Sequence, residues 1–186
     1  MAGRVGARAR ARRLRMFFEW TGVEPGMRVL DVGCGNVGLR AFAPELDVFG
    51  IDLLPQPEYA GPFAVADATA GLPFADGEFD LVYASSVVEH VAPELRQAFA
   101  TELRRVARGW YVQTPARSFP IEPHALLPFA HWLPVPLRRR YWRLGVAKAW
   151  EEIHLLGRAE LEDLFGAPRA ERLGPVVKSW ISVRAV

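Results

Sequence analysis

Short apolar runs, separated by turns and by longer amphipathic stretches, recur along most of the 186-residue chain. Residues 28–32, 47–51, 63–66, 79–84 and 110–114 read as five strands. Helical spacing appears over 8–21, where Leu14, Phe17 and Phe18 form an apolar side, and over 37–43, 93–107 and 158–165. Pro93 suits the first turn of the third of these helices. A short strand near 170–173 and a final strand in KSWISVRAV (178–186) follow. Strands alternating with helices imply an α/β fold with a doubly wound, mostly parallel seven-stranded sheet, Rossmann-like. The length is that of one domain over 1–186.

The densest chemistry lies in VLDVGCGNVG (29–38), an apolar run, an aspartate and glycines at 33, 35 and 38. A strand that ends in a glycine turn and opens into a helix is where parallel α/β proteins hold nucleotide cofactors. Gly33 supplies the turn, and Gly35 lets the backbone approach a ligand. The spacing also satisfies G-x-G-x-x-G, and Asp52 ends the next strand run, placed for ribose hydroxyls. NAD and S-adenosylmethionine both fit these features.

Three neighbours favour S-adenosylmethionine. Asp31 lies two residues before the first glycine, where a carboxylate repels a pyrophosphate but suits an ammonium group. Asp67 closes another apolar stretch and can accept from an adenine amino group beside the backbone of Ala68. Strand 79–84 runs into Ser85 and Ser86, small residues at the end where reacting groups meet. Cys34 inside the turn and Leu53 beside Asp52 complete the expected cofactor-binding set.

VLDVGCG, Asp52, the DAxxLPFxDGxFDLV block, VVEHV and TELRRVARGWYVQTP occur in this order over roughly 26–115. The chain thereby resembles class I S-adenosylmethionine-dependent methyltransferases of the methyltransferase type 11 group, with a weaker match in the C-terminal third. One departure is Val37 followed by Gly38, where such families usually carry glycine at the first of these positions. The resemblance implies a methyltransferase using S-adenosyl-L-methionine, with the terminal strand pair closing the sheet as an antiparallel C-terminal edge. It also marks Glu89 and His90 as a common pair that in most relatives supports the fold. Some resembling families bind a divalent metal through E-x-x-E-H. Ser86 stands at the first glutamate position here, so no metal is expected, although His124 can complete a site in principle.

Charge changes the picture at one end. The net charge is +2, but Arg4, Arg8, Arg10, Arg12, Arg13 and Arg15 fall in the first fifteen residues. Without those six, 17 basic residues face 21 acidic ones, a mildly acidic body. The arm (1–15) is read as a solvated helix face, with contact to nucleic acid or anionic lipid as the alternative. A single cysteine and the lack of an eighteen-residue apolar run point to a cytoplasmic protein.

Residues 115–150 differ in kind, with six of the fifteen prolines and Phe119, Phe129, Trp132, Tyr141, Trp142 and Trp150. Following strand five, this insert is placed over the reactive end of a cofactor, as an acceptor pocket or lid. Within 137–150, Leu137, Tyr141 and Leu144 share a helix face, with Arg138, Arg139, Arg140, Arg143 and Lys148 as charge. Such a helix either caps the pocket or makes peripheral membrane contact through 129–150.

His124, two residues after Glu122 in a proline-stiffened stretch, is the first choice as base or acceptor-orienting group. His131 in the same insert is a further candidate, and His154 is read as structural. No Asn/Asp-Pro-Pro-aromatic motif follows strand four, and no cysteine is placed to attack a pyrimidine. The expected acceptor is therefore an oxygen, or a nitrogen, of a small or lipid-linked metabolite rather than nucleic acid. A non-catalytic module binding S-adenosylmethionine, and a NAD(P)-dependent oxidoreductase, are the competing readings. The second lacks any Tyr-x-x-x-Lys pair.

Overall fold

A computed structural model describes residues 2–147, 150 and 153–186. The strand runs become β1 (Arg28–Val32), β2 (Asp47–Asp52), β3 (Phe63–Val65), β4 (Phe79–Ser85) and β5 (Ala107–Pro115). These five are parallel. After the two-residue strands β6 (Ile121–Glu122) and β7 (Leu127–Pro128), β8 (Arg169–Leu173) and β9 (Val176–Arg184) complete the main sheet antiparallel, in the order β3-β2-β1-β4-β5-β9-β8. Val32 pairs with Ile51 and with Ala84, and Ser85 pairs with Gln113. That register brings the carboxyl ends of β1, β2, β4 and β5 to one edge. Side groups there can converge on a single ligand.

Alternation along the strands builds a core on each face. Val29, Val48, Leu81 and Tyr111 face α1 (Ala2–Thr21), where Phe17 is fully buried. Its ring meets Tyr111 and Tyr83 edge-on at 5.5 and 5.2 Å, and those two rings stack at 5.4 Å. Leu30, Val82 and Val112 face the other way, against Phe99, Ala100 and Leu103 of α2 (Arg96–Val106) and Leu161, Leu164 and Phe165 of α4 (Arg158–Phe165). The first helix therefore covers the sheet at its C-terminal half and is not a detached arm. Lys148 and the side chains of Arg4, Arg8 and Arg10 lie outside the described residues.

Three helix expectations are corrected. Residues 37–43 form no helix but a run of turns. Gly33, Gly35 and Gly38 all take positive φ, which interrupts any regular winding, and Pro44 follows at once. The helix expected over 93–107 begins as a separate 3-10 turn at Pro93–Leu95, and Ala107 already belongs to β5. In the insert, α3 spans only Val135–Trp142, so Leu144 lies beyond it. The residue α3 buries is Trp142, while Leu137 and Leu144 are exposed.

The insert has a small core of its own from Ala125, Leu127, Ala130, Trp142 and Ile153. Among its ties to the main body are the Ala116 amide to the Lys178 carbonyl at 2.9 Å and the contacts that gather at Glu89. The His154 amide donates to the Glu89 carbonyl at 2.9 Å. Arg96, buried at the start of α2, donates to the carbonyls of His154 and Val91 and pairs with Glu160 of α4. Among the described residues, no helix is long and apolar enough to cross a membrane.

Replacing Phe17 by Ala should destabilise the protein by about 3–5 kcal/mol, as expected for an aromatic lost from a core. Urea denaturation measures this, and a loss below ~1 kcal/mol would mean that α1 is a dispensable arm.

Candidate active site

Two cavities open at the aligned strand ends. The larger, about 470 Å³, is lined by Ile51, Asp52, Leu53, Asp67, Ala68 and Thr69, with Ser86, Val87 and His90 across from them. The smaller, about 180 Å³, is lined by Asp31, Cys34, Leu39, Tyr83, Ser85 and Arg13. Val32 and Gly33 border both, so the glycine turn is the ridge of one bipartite cleft. Two of its glycines have a steric reason. A Cβ at Gly33 would stand 2.6 Å from Cγ2 of Val87, and one at Gly38 would stand 2.5 Å from the Tyr59 ring and 2.7 Å from Asp31 Oδ2. Val37 is exposed. The glycine requirement sits at 38 in this chain, and the departure at 37 disturbs nothing.

The carboxylates are held by backbone N–H groups. Asp52 accepts from Gly35 at 3.0 Å and from Leu54 at 3.2 Å, which fixes it between the two cavities. Asp67 accepts from the Thr69 amide and hydroxyl at 2.8 and 2.7 Å, both on one oxygen. Ala68 forms a buried wall beside it, and Leu53 is an exposed rim. Asp31 is buried and accepts from the Leu39 amide at 2.6 Å. The Leu39 amide is thus spent on Asp31. Burial pushes the Asp31 carboxyl up to about 7, with the Leu39 bond opposing and the nearby Asp52 charge adding. Cys34 is buried too, its thiol pushed up to about 12 by burial and by the two aspartates, so it stays a neutral wall. Ser85 donates to Gln113 Oε1 at 2.7 Å.

Sequence reasoning missed several members. Arg13 reaches from α1 to Gln113 Oε1 at 3.4 Å and has a buried Nε with no hydrogen-bond partner. Nothing in an arginine-rich stretch marks this one as inward. Tyr59 covers Gly50 and Gly38 with its hydroxyl buried and unpartnered. Ser86 adopts φ +60, a costly conformation for a residue with a Cβ, directly where β4 leaves the sheet. Leu95 and Phe99, four apart, close the larger cavity from the α2 side.

The insert returns His124 to this edge. Its Nδ1 lies 2.7 Å from Glu122 Oε1, and its Nε2 faces Glu89 Oε1 at 4.0 Å. The His124 ring stands edge-to-face to His90, with centroids 5.0 Å apart. Glu122 also accepts from the Ala125 amide at 2.5 Å. Burial opposes its charge, but the His124 and backbone hydrogen bonds outweigh burial and hold its carboxyl below the ordinary range. Glu89 is fully buried; burial pushes it up to about 7, only partly offset by the Thr114 hydroxyl at 2.9 Å and by His124 and Arg96. Its other oxygen, Oε1, has no hydrogen-bond partner. Structure thus groups both expected catalytic residues with Glu89 and His90. His131 shares a small cavity with Glu122, its ring bound to the Arg117 carbonyl at 3.1 Å, and His154 serves through its backbone.

Gly38→Ala should cost about 2–4 kcal/mol, from the positive φ and from overlap with Tyr59 and Asp31. Thermal melting checks this against Gly77→Ala, where positive φ meets open space and a loss of only about 1–2 kcal/mol is expected.

Residues 30–109 match a family model described as a methyltransferase domain. A 2-methyl-6-phytyl-1,4-hydroquinone methyltransferase of Synechocystis is 39% identical over 106 residues, which cover 48% of this chain and 32% of that protein. The match therefore spans about a third of that relative's length. Among solved structures, the PH0226 protein of Pyrococcus horikoshii aligns with a TM-score of 0.68 at 19% identity, over 95% of this chain and 89% of that one. A 1,6-didemethyltoxoflavin-N1-methyltransferase of Burkholderia thailandensis, bound to its substrate and S-adenosylhomocysteine, aligns at 0.58 and 14% identity over 86% and 70%. The strand order is that of these Rossmann-like structural neighbours, and the segment from Leu30 to Gly109, which carries the glycine ridge and the spaced carboxylates, is similar to the methyltransferase domain.

Proposed function

We propose that the chain transfers a methyl group from S-adenosylmethionine to an oxygen, or in second place a nitrogen, of a small or lipophilic metabolite. The observation that carries the reading is the meeting of the insert's Glu122–His124 pair with His90, which lines the larger cavity. In this assignment Asp52 takes the ribose hydroxyls, Asp67 and Ala68 the adenine edge, and Asp31 the ammonium group. Arg13, with its buried unpartnered nitrogen, takes the carboxylate. When bound, the cofactor supplies a methyl group already activated on a sulfonium. The protein's task is then to align an acceptor, exclude water and manage one proton.

Glu122 orients His124 through Nδ1, which leaves the Nε2 lone pair directed toward Glu89 and His90. In that orientation His124 takes the acceptor's proton or fixes its oxygen. The Synechocystis relative is by name a hydroquinone methyltransferase, which supports an acceptor with a ring hydroxyl and an apolar body. Phe129, Trp132, Leu137 and Leu144 are exposed on the insert beside Arg139, Arg140 and Arg143. This surface suits entry of a lipophilic acceptor and peripheral contact with an anionic membrane.

His124→Gln should lower turnover roughly 10²–10⁴-fold while leaving affinity for S-adenosylhomocysteine unchanged. Steady-state kinetics with a hydroquinone panel, beside calorimetry, separates the two, and unaltered turnover would remove His124 from the reaction. Asp31 supplies a pH test. Because its carboxyl is raised to about 7, it is increasingly protonated below that pH and loses attraction for an ammonium. Affinity for S-adenosylhomocysteine should therefore weaken from pH 7.5 to 5.5, approaching tenfold per unit at the acid end. Asp31→Asn should flatten the profile, and a wild-type profile already flat would exclude the ammonium assignment.

A further inference from the structure

We propose that Gln113 is a positioning residue that couples the two halves of the cleft. When a carboxylate engages Arg13 in the smaller cavity, the Gln113 side chain is released to hold Ser86 in the wall of the larger one. The inference rests on the cofactor assignment above and adds how binding on one side prepares the other.

β5 is interior to the sheet, where an apolar side chain is the ordinary occupant, yet its Gln113 is only 1% exposed. A buried amide persists where hydrogen bonds offset its desolvation, and here the partners come from three places. Gln113 Oε1 accepts from the Ser85 hydroxyl at 2.7 Å, from the Ser86 hydroxyl at 3.3 Å and from Arg13 Nη1 at 3.4 Å. Ser85 and Arg13 line the smaller cavity, and Ser86 lines the larger. A carbonyl oxygen has two lone pairs, so the three donors compete. The short bond to Ser85 claims one pair. Ser86 and Arg13 share the other at the long end of hydrogen bonding.

Both sharers are only half committed. Arg13 keeps a buried Nε with no hydrogen-bond partner. Ser86 stands at φ +60, and its amide donates to the Gln113 backbone carbonyl at 2.9 Å. A carboxylate arriving in the smaller cavity takes the guanidinium by two charge-assisted bonds, each stronger than a neutral one. Arg13 then turns away from Oε1, and the freed lone pair goes to the Ser86 hydroxyl. Ser86 leads into Val87 and His90, which line the larger cavity with it, so the change is felt where an acceptor is placed. Linkage makes the effect mutual, since whatever fixes Ser86 from the acceptor side also favours the carboxylate.

The test compares S-adenosylhomocysteine, which carries the carboxylate, with methylthioadenosine, which lacks it, by calorimetry and amide hydrogen exchange on the full chain. Exchange of the Ser86 amide should slow several-fold with S-adenosylhomocysteine bound and should not respond to methylthioadenosine. Gln113→Glu keeps the side-chain shape and gives Arg13 a competing carboxylate. Affinity for S-adenosylhomocysteine should then fall about tenfold or more, with that for methylthioadenosine unchanged. Gln113→Leu should bind both ligands and lose the Ser86 protection. Should Gln113→Leu not fold, Arg13→Met, on the covering helix, reads the same loss of protection. Equal weakening of both ligands in Gln113→Glu, or protection that persists in Gln113→Leu or Arg13→Met, overturns the proposal. A chain that binds S-adenosylhomocysteine without these contrasts keeps its methyltransferase reading and loses the coupling. One that binds neither ligand loses both.

Discussion

The glycine ridge is wound around a buried carboxylate. Asp31, the penultimate residue of an interior strand, is buried at the wall of the smaller cavity, and its clearest hydrogen bond comes from the Leu39 amide eight residues on. That bond folds 33–39 back over β1 and leaves room for no side chain at 38, where Tyr59 closes in from β2's flank. Asp52 receives the Gly35 amide on the other side. The turn is therefore pinned between two aspartates that repel each other. Burying one of them raises its proton affinity, a standing cost that a cationic ligand group removes. The loop's shape and the raised proton affinity of Asp31 come from the same atoms.

A comparable junction operates at Glu89. Its carbonyl receives His154, its Oε2 receives Thr114 of β5, and its Oε1 faces the His124 ring of the insert. Arg96 reinforces the same spot by gathering the carbonyls of Val91 and His154. The insert has its own small core, yet the contact that orients it on the sheet runs through a residue at the mouth of the cleft. Docking of the insert and geometry at the mouth of the cleft are coupled here, so a structural role for this Glu–His pair does not compete with a place in the site.

The strands were legible because continuous apolar runs bounded by turn residues have few other uses, and their register put the expected carboxylates on one edge. The helix read at 37–43 failed because helical spacing of apolar residues says nothing about three glycines whose φ is positive. Leu144 was misplaced for a related reason. Its spacing from Leu137 and Tyr141 fits a helix, but α3 ends at Trp142 once that ring is buried among Ala125, Leu127 and Ile153. Arg13 was illegible among six similar arginines, since only tertiary packing of α1 turns one of them inward. The proximity of Glu89 and His124, 35 positions apart, is likewise a product of how the insert docks.

Glu122 and Glu89 show why that docking matters chemically. Both are buried carboxyls near the same imidazole, yet their proton affinities move in opposite directions. Glu122 accepts two hydrogen bonds within the insert and stays charged, so it fixes His124 before any ligand arrives. Glu89 has one oxygen satisfied and one bare, and burial dominates. A histidine held between a committed carboxylate and an uncommitted one has its outer nitrogen aimed at the place where positive charge is lacking. The His124 ring lies against His90 and hence against the larger cavity.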